Sequence, residues 1–376
     1  MRILISGGGT GGHIYPALAV ARELSDRYDA ELLYLGDVNG LETDLVPRAG
    51  IPFAAVEAGK FRRYLSRRTF SDLARVPKGI RQAMEIVRQF RPHAAFTSGG
   101  YVAVPAGFAA RRFGAPLLMH QQDVSPNLSN RLLTPFASRI SVSFPDSLRY
   151  FPRRKTALTG NPVREDILHA TRWPQADCKR AFGLNPHDPV LLVTGGSQGA
   201  RHLNQVTARL LPQLLPRCQV LHISGDRTYN ETRAAAEPAF TERPEWRGRY
   251  VLRAYLTDRM AGALAASDIV LCRSGASTLT ELATLGLPSV LVPLPPGFTG
   301  SPQAVNAAMF RQAGAAELIA DKELTVDRLA SVLLPLLEND ARRTLMANAA
   351  AALAHPEAAA VLADTVAELA KRRGAD

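Results

Sequence analysis

The stretch Gly7-Gly8-Gly9-Thr10-Gly11-Gly12-His13, directly after the apolar run Ile3-Leu4-Ile5, decides the fold once it is set beside a second one. That second stretch is Gly195-Gly196-Ser197-Gln198-Gly199-Ala200, directly after Val190-Leu191-Leu192-Val193. In each, a buried strand runs into a turn nearly free of side chains and then into a helix. Backbone N–H groups and a positive helix terminus can then approach an anionic ligand. Two such turns, half a chain apart, predict twin α/β domains facing each other across a cleft. Around them, apolar runs of strand length alternate with helical stretches, the pattern of parallel sheets flanked by helices. The first half reads as strands at 2–6, 31–35, 94–98, 116–120 and 139–142. The second reads as strands at 190–194, 219–224, 249–253, 269–273, 289–293 and 317–319. The polar piece Thr159-Gly160-Asn161-Pro162-Val163-Arg164 reads as a hinge, which puts one domain at 1–160 and the other at 161–355. A closing helix at about 356–376, rich in Ala with a basic end, is able to pack back on the first domain.

The spacing Gly7-x-Gly9-x-x-Gly12 also satisfies the dinucleotide fingerprint, with Asp37 placed to hold a ribose. A dehydrogenase explains neither His13 at the start of the helix nor the second glycine turn, and that reading is set aside.

A chain of 376 residues with 46% apolar content is long enough for two cores. Cys178, Cys218 and Cys272 show no metal-ligand or redox spacing, which fits a reducing compartment and predicts no metal site. No signal-peptide pattern and no apolar stretch of bilayer length stands out, so a cytoplasmic protein is expected. The net charge of +11 is concentrated: ten Lys or Arg lie between Lys60 and Arg91, opposed only by Asp72 and Glu85. Apolar residues interleave at helical spacing from Phe70 onward, and Pro77 is expected to divide the run into two helices. Phe61, Arg62, Arg63, Arg67, Arg68, Phe70, Leu73, Arg75 and Lys78 form a basic and apolar patch suited to an anionic membrane surface. Such a surface attracts each nearby Lys or Arg by about 1 kcal/mol. The rival readings are a solvated face over a buried stripe, and a nucleic-acid surface, for which no binding module is recognisable.

Further motifs follow in order: Leu41-Glu42 before Leu45-Val46-Pro47-Arg48-Ala49-Gly50, then Gly99-Gly100-Tyr101-Val102, then Gly160–Arg164. Cys272-Arg273-Ser274-Gly275-Ala276, Glu281, Gln303, Asn306 and Ala313-Gly314-Ala315-Ala316 complete the series. Over nearly its whole length the chain thereby resembles the MurG-type glycosyltransferases. These are the UDP-N-acetylglucosamine:N-acetylmuramyl-(pentapeptide) pyrophosphoryl-undecaprenol N-acetylglucosamine transferases of peptidoglycan biosynthesis. The resemblance implies a GT-B architecture of two Rossmann-like domains, with inversion at the sugar carbon and no essential metal or cofactor. It implies transfer from UDP-GlcNAc to the 4-hydroxyl of the undecaprenyl-diphosphate-linked muramyl-peptide, lipid I to lipid II. It also implies a peripheral site of action on the cytoplasmic face of the membrane, with cell-wall synthesis proteins as partners.

Inverting transfer needs a base for the acceptor hydroxyl and a site that stabilises the departing diphosphate. His13 is suited to the base by its ordinary titration range; its alternative is a hydrogen bond to the turn or to substrate phosphates. Thr10, Gly11 and Gly12 are placed to donate to a diphosphate, and Arg164 to fork onto its oxygens. Ser197 and Gln198 lie where donor phosphates are expected. By resemblance Glu281 accepts the ribose hydroxyls, Leu256 holds uracil and Gln303 reads the donor sugar. Thr278-Leu279-Thr280-Glu281 is equally a capping-box pattern, which would occupy Glu281 otherwise. Tyr101, Gln121, Gln122, Asp123, Asn127 and Asn130 are expected at the acceptor. The family's usual His-Glu-Gln-Asn reads His120-Gln121-Gln122-Asp123 here, and Asn127 stands in place of a glycine. The donor-sugar loop 293–306 is also about two residues longer, with Pro302 beside Gln303. These departures motivate a related transferase with another lipid or metabolite acceptor. A UDP-GlcNAc 2-epimerase-like isomerase and a non-catalytic UDP-sugar-binding protein are the readings of other classes.

Overall fold

The computed structural model describes residues 1–59, 67–196, 199–241, 243–257, 259–295 and 303–375, with side chains given outside 67–76 and 374–375. The chain divides into two compact units: Met1–Arg164 with His355–Asp376, and Glu165–Ala354.

The first unit is a seven-stranded parallel sheet. Its strands are β1 (Arg2–Ser6), β2 (Glu31–Asp37), β3 (Phe53–Val56), β4 (Ala94–Thr97), β5 (Leu117–Gln121), β6 (Arg139–Val142) and β7 (Thr156–Leu158). They lie in the order β3-β2-β1-β4-β5-β6-β7. β1, β4 and β5 are apolar and buried nearly throughout because helices cover both faces, as parallel sheets require. On one face the helix Ala103–Arg112 contributes Ala103, Ala106, Ala109 and Ala110 to a cluster with Leu4, Leu117 and Met119. On the other, the helix Gly11–Tyr28 and the terminal helix Ala358–Ala375 close over Ile3, Ile5 and Phe96. Leu362, Ala363, Val366 and Leu369 of the terminal helix share that core. Tyr28 donates its hydroxyl to Asp364 at 2.5 Å, and the Arg373 guanidinium donates to the Phe113 carbonyl at 2.7 Å.

The second unit is a six-stranded parallel sheet. Its strands are β8 (Val190–Thr194), β9 (Gln219–Ile223), β10 (Tyr250–Arg253), β11 (Ile269–Cys272), β12 (Ser289–Leu291) and β13 (Ala316–Leu318), in the order β10-β9-β8-β11-β12-β13. Both sheets thus reverse direction of growth beside their first strand, between β1 and β4 and between β8 and β11. Open α/β sheets bind ligands at the carboxyl ends of the strands at such a reversal. Each glycine turn sits there.

Two features differ from expectation. The edge strands β3 and β7 were not foreseen, because four and three residues of weak apolar pattern carry little periodic signal. Pro77 does not divide its segment: one helix runs from Arg67 to Phe90 with Pro77 inside it. Pro77 is exposed, so the carbonyl freed by its missing N–H can be met by solvent.

Candidate active site

β1 ends at Ser6 and the helix begins at Gly11, with Thr10 as an extended N-cap whose side chain makes no capping bond. The first turn of this helix carries no acidic residue, so nothing on the helix itself offsets its positive end. The facing turn after β4 packs directly on it. Gly100 lies at φ +86°, and a Cβ there would overlap the Gly8 carbonyl, so only glycine allows this approach. The Gly8 N–H donates to the Gly99 carbonyl at 3.3 Å.

Ser98, directly after β4, holds His13 from both sides. Its hydroxyl donates to the His13 carbonyl at 2.6 Å, and its own carbonyl lies 3.0 Å from His13 Nδ1. A carbonyl only accepts, so the imidazole proton sits on Nδ1 and the lone pair on Nε2. Burial pushes the His13 pKa below its ordinary value, opposed by the charges of Asp123 and Glu42 and by the bond to Ser98. A neutral ring with an available Nε2 is the form a general base requires at neutral pH.

Beneath the turn lies a buried acidic pair, Glu42 and Asp37. Glu42 is fully buried and accepts from the Asp37 N–H at 3.0 Å and the Gly9 N–H at 3.4 Å. Asp37, also buried, accepts the Tyr101 hydroxyl, and Tyr101 packs on Gly9. Tyr101 therefore braces the glycine turn with its hydroxyl turned inward, and Asp37 is committed within the protein rather than presented to a ribose. No sequence pattern distinguishes a buried Glu42 from an exposed one.

The loop after β5 splits the residues expected at the acceptor into two groups. Gln121 and Asn130 are fully buried. Gln121 Nε2 donates to the carbonyls of Asp123 at 2.7 Å and Ser125 at 3.0 Å, and Asn130 Nδ2 donates to Gln121 Oε1 at 2.8 Å. Gln122, Asp123 and Asn127 come to the His13 side. Gln122 Nε2 shares the Ser98 carbonyl with His13, at 3.0 Å. Asn127 caps the helix Leu128–Leu133, accepting from the Asn130 N–H at 2.8 Å. His120 is fully buried, bonded to Ser141 Oγ at 2.7 Å and Asn161 Oδ1 at 3.0 Å, and burial pushes its pKa down to about 4.

Arg164 lies with its guanidinium 5.2 Å over the Tyr15 ring, and Tyr15 lies against Gly11. A cation thus stands next to a helix N-terminus, an arrangement that attracts a diphosphate.

In the second unit β8 leads through Gly195 and Gly196 to the helix Arg201–Leu214, whose N-cap Ala200 also makes no side-chain bond. Ser197 and Gln198 lie outside the described residues. The turn is backed by buried polar groups. Asn204 Nδ2 donates to the Ser224 carbonyl at 2.8 Å, and its Oδ1 lies 3.1 Å from His222 Nε2. After β11, Gly275 is the extended N-cap of the helix Ala276–Leu285, so Thr278 sits inside that helix. The capping-box alternative for Glu281 is thereby excluded. Glu281 is half-buried near Cys272, whose thiol is pushed up to about 12 by burial and by the Glu281 charge. Gln303 opens the helix Gln303–Gln312 beside Gly275, and its Oε1 accepts from the Leu294 N–H at 3.1 Å. Leu256 is half-buried beyond β10.

Phe61, Arg62 and Arg63 lie outside the described residues, and Arg67, Arg68, Phe70, Leu73 and Arg75 are described only as backbone of the helix Arg67–Phe90. Lys78 is exposed and pairs with Glu57 at 2.6 Å. Further along, Pro77, Ile80 and Met84 line an apolar groove against Phe113, rimmed by Arg81, Glu85 and Arg88. Among the described residues no helix is long and apolar enough to cross a membrane. Nor, among them, is any group of three or more His, Cys, Asp or Glu placed to hold a metal.

Comparison with known proteins gives two family matches: residues 3–142 match the glycosyltransferase family 28 N-terminal domain, and residues 190–362 its C-terminal domain. A Desulforudis audaxviator protein is 41% identical over 98% of this chain and 99% of its own. It is named a UDP-N-acetylglucosamine--N-acetylmuramyl-(pentapeptide) pyrophosphoryl-undecaprenol N-acetylglucosamine transferase. A Desulforamulus reducens protein of the same name is 39% identical over 95% of this chain and 96% of its own. Among solved structures, Acinetobacter baumannii MurG superposes with a TM-score of 0.76 at 28% identity, covering 98% of this chain and 99% of that one.

Proposed function

The chain belongs to glycosyltransferase family 28, and on that premise we propose that it transfers N-acetylglucosamine from UDP-GlcNAc to the muramyl 4-hydroxyl of an undecaprenyl-diphosphate-linked muramyl-peptide. The observation that carries the reading is His13, with Nδ1 fixed on the Ser98 carbonyl and Nε2 left as the basic nitrogen, at the mouth of a glycine turn. In the proposed reaction the acceptor oxygen bonds to the anomeric carbon on the face opposite UDP, and its proton passes to His13 Nε2. The bond from the anomeric carbon to the β-phosphate oxygen breaks, its electron pair leaving with UDP. Inversion follows from this single displacement. Charge on diphosphate is met by Arg164 and the N-terminus of the helix Gly11–Tyr28, and no metal is assigned a step. Ser197, Gln198, Leu256, Glu281 and Gln303 are proposed for the donor.

The departures at 121 and 127 bear less on the acceptor than their positions in the motif imply. Gln121 makes its bonds inside the loop, and Asn127 caps a helix. This supports the muramyl-peptide lipid over another acceptor. The groove at Ile80, Met84 and Phe113, with Arg81 and Arg88 at its rim, supports a peripheral position on an anionic membrane surface, proposed to be the cytoplasmic face.

The test is UDP release from UDP-GlcNAc with and without a short-chain muramyl-pentapeptide lipid, together with sugar incorporation into the lipid. Acceptor-dependent release with a disaccharide product is expected. Turnover of donor without acceptor would favour an isomerase, and UDP binding without transfer a non-catalytic role.

A further inference from the structure

Arg273 and Ser274, which directly follow β11, fasten both ends of the donor-sugar loop 293–306. At its entry Arg273 Nη1 donates to the Val292 carbonyl at 3.0 Å and the Pro293 carbonyl at 3.1 Å. At its exit Ser274 Oγ donates to the Gln303 carbonyl at 3.0 Å, and Asn306 Nδ2 donates to the Ser274 carbonyl at 3.2 Å. The two ends are tied to each other by the Leu294 N–H, which donates to Gln303 Oε1 at 3.1 Å. An N–H needs an oxygen, so this bond fixes which way the Gln303 amide is turned. Gln303 Nε2 then stands beside Gly275, where a Cβ would meet it at 3.6 Å, and its hydrogens are what the amide has to offer a ligand. Arg273 in turn is held by Asp321. The guanidinium side chain is only 10% exposed, and a charge so placed needs a counter-charge. Asp321, beyond β13, brings Oδ1 to 2.6 Å from Arg273 Nη1. Its Oδ2 lies 3.5 Å from His202 Nδ1, on the helix Arg201–Leu214.

We propose that Asp321 is a positioning residue for recognition of the donor sugar. It holds the Arg273 guanidinium on the carbonyls of residues 292 and 293, which sets the Leu294 N–H. That N–H sets the direction in which Gln303 offers its amide hydrogens. Asp321 itself touches no substrate. Its effect falls on which sugar is accepted, because a hydroxyl moved to the other face of the ring no longer meets a donor whose direction is fixed. Without the Asp321 charge the guanidinium keeps two carbonyls as acceptors but loses its counter-ion, and the entry of the loop shifts with it. Leu256 and Glu281, proposed for the nucleoside, lie outside this chain of bonds, so the role is specific to the sugar.

This role rests on the proposed use of Gln303 for the donor sugar, and binding measurements separate the two. Calorimetry on the full-length protein gives the dissociation constants of UDP, UDP-GlcNAc and its 4-epimer UDP-N-acetylgalactosamine, with no acceptor present. Wild type is expected to prefer UDP-GlcNAc to the epimer. Asp321→Asn is expected to reduce that preference about tenfold, the scale of one hydrogen bond, with UDP affinity unchanged. Gln303→Ala should reduce it as much, and adding Asp321→Asn to Gln303→Ala should reduce it no further. An unaltered preference in Asp321→Asn, where Gln303→Ala loses it, overturns this role and leaves that of Gln303 standing. Losses that add in the double variant overturn it too, since Asp321 then acts apart from Gln303. Equal binding of the two epimers by wild type, or an unaltered preference in Gln303→Ala, removes the role of Gln303 and this one with it. Asp321→Ser replaces the Asn variant if that does not fold. If neither binds UDP, Asp321 only maintains the fold and the proposal fails.

Discussion

Single side chains at this site are set by what is buried beside them. With His13 as base, His13→Ala is expected to lower kcat at least about a hundredfold, in the range for loss of general-base catalysis. The UDP dissociation constant, read by calorimetry, should stay within about twofold of wild type. His120 gives a stability prediction of definite sign. Its folded pKa of about 4 lies below the ordinary 6.5, so between these values the unfolded chain binds a proton that the folded one does not. Stability contributed by its neutral state is complete above pH 6.5 and is lost as the pH falls towards 4. The loss is about 3 kcal/mol over that window. Denaturant midpoints measured across it should fall steeply in wild type and less steeply in His120→Asn. His13 itself was legible from its place after the glycine turn. The Ser98 carbonyl that fixes its tautomer was not, since 85 residues separate the two and no pattern joins them.

At the scale of elements, the helix Arg67–Phe90 combines an inward face with a charged outer one. Ala83 and Val87 are buried, whereas Arg81 and Arg88 are exposed beside the groove that Ile80 and Met84 line. Replacing Arg81 and Arg88 with Gln should weaken binding to vesicles containing anionic lipid by about 30-fold, from about 1 kcal/mol per charge. Sedimentation with vesicles measures this, and binding equal to wild type would leave the helix a solvated face. The charge run was plain in the sequence, and so were the buried strands β1 and β8, which are apolar and end on glycines. Continuity through Pro77 was not, because the rule that proline breaks helices assumes that the freed carbonyl has no other partner.

The whole molecule is built as two units, and the first is completed by the end of the chain. Truncation after Ala354 removes Leu362, Val366 and Leu369 from the core around Ile3, Ile5 and Phe96. Full burial of each such side chain is worth about 1.5–3 kcal/mol, so the first unit should melt well below its normal temperature or fail to fold. Calorimetry of the truncated chain should show the transition of Glu165–Ala354 unchanged. Loss of both transitions together would mean that the second unit depends on the first.

The sequence by itself determined the strand-turn-helix units at Gly7–His13 and Gly195–Ala200, the alternation that makes both sheets parallel, and the motif series of the family. Each is local, carried by residues adjacent along the chain or spaced by one helix or strand period. Tertiary structure alone decided which of the motif's polar residues face the site and which hold it together. Gln121, Asn130 and Tyr101 look like substrate contacts in a list of residues. Folded, Gln121 and Asn130 meet main-chain carbonyls, and Tyr101 meets the carboxylate of Asp37. Buried polar atoms must find partners, and these came from segments that only the packed sheets bring together.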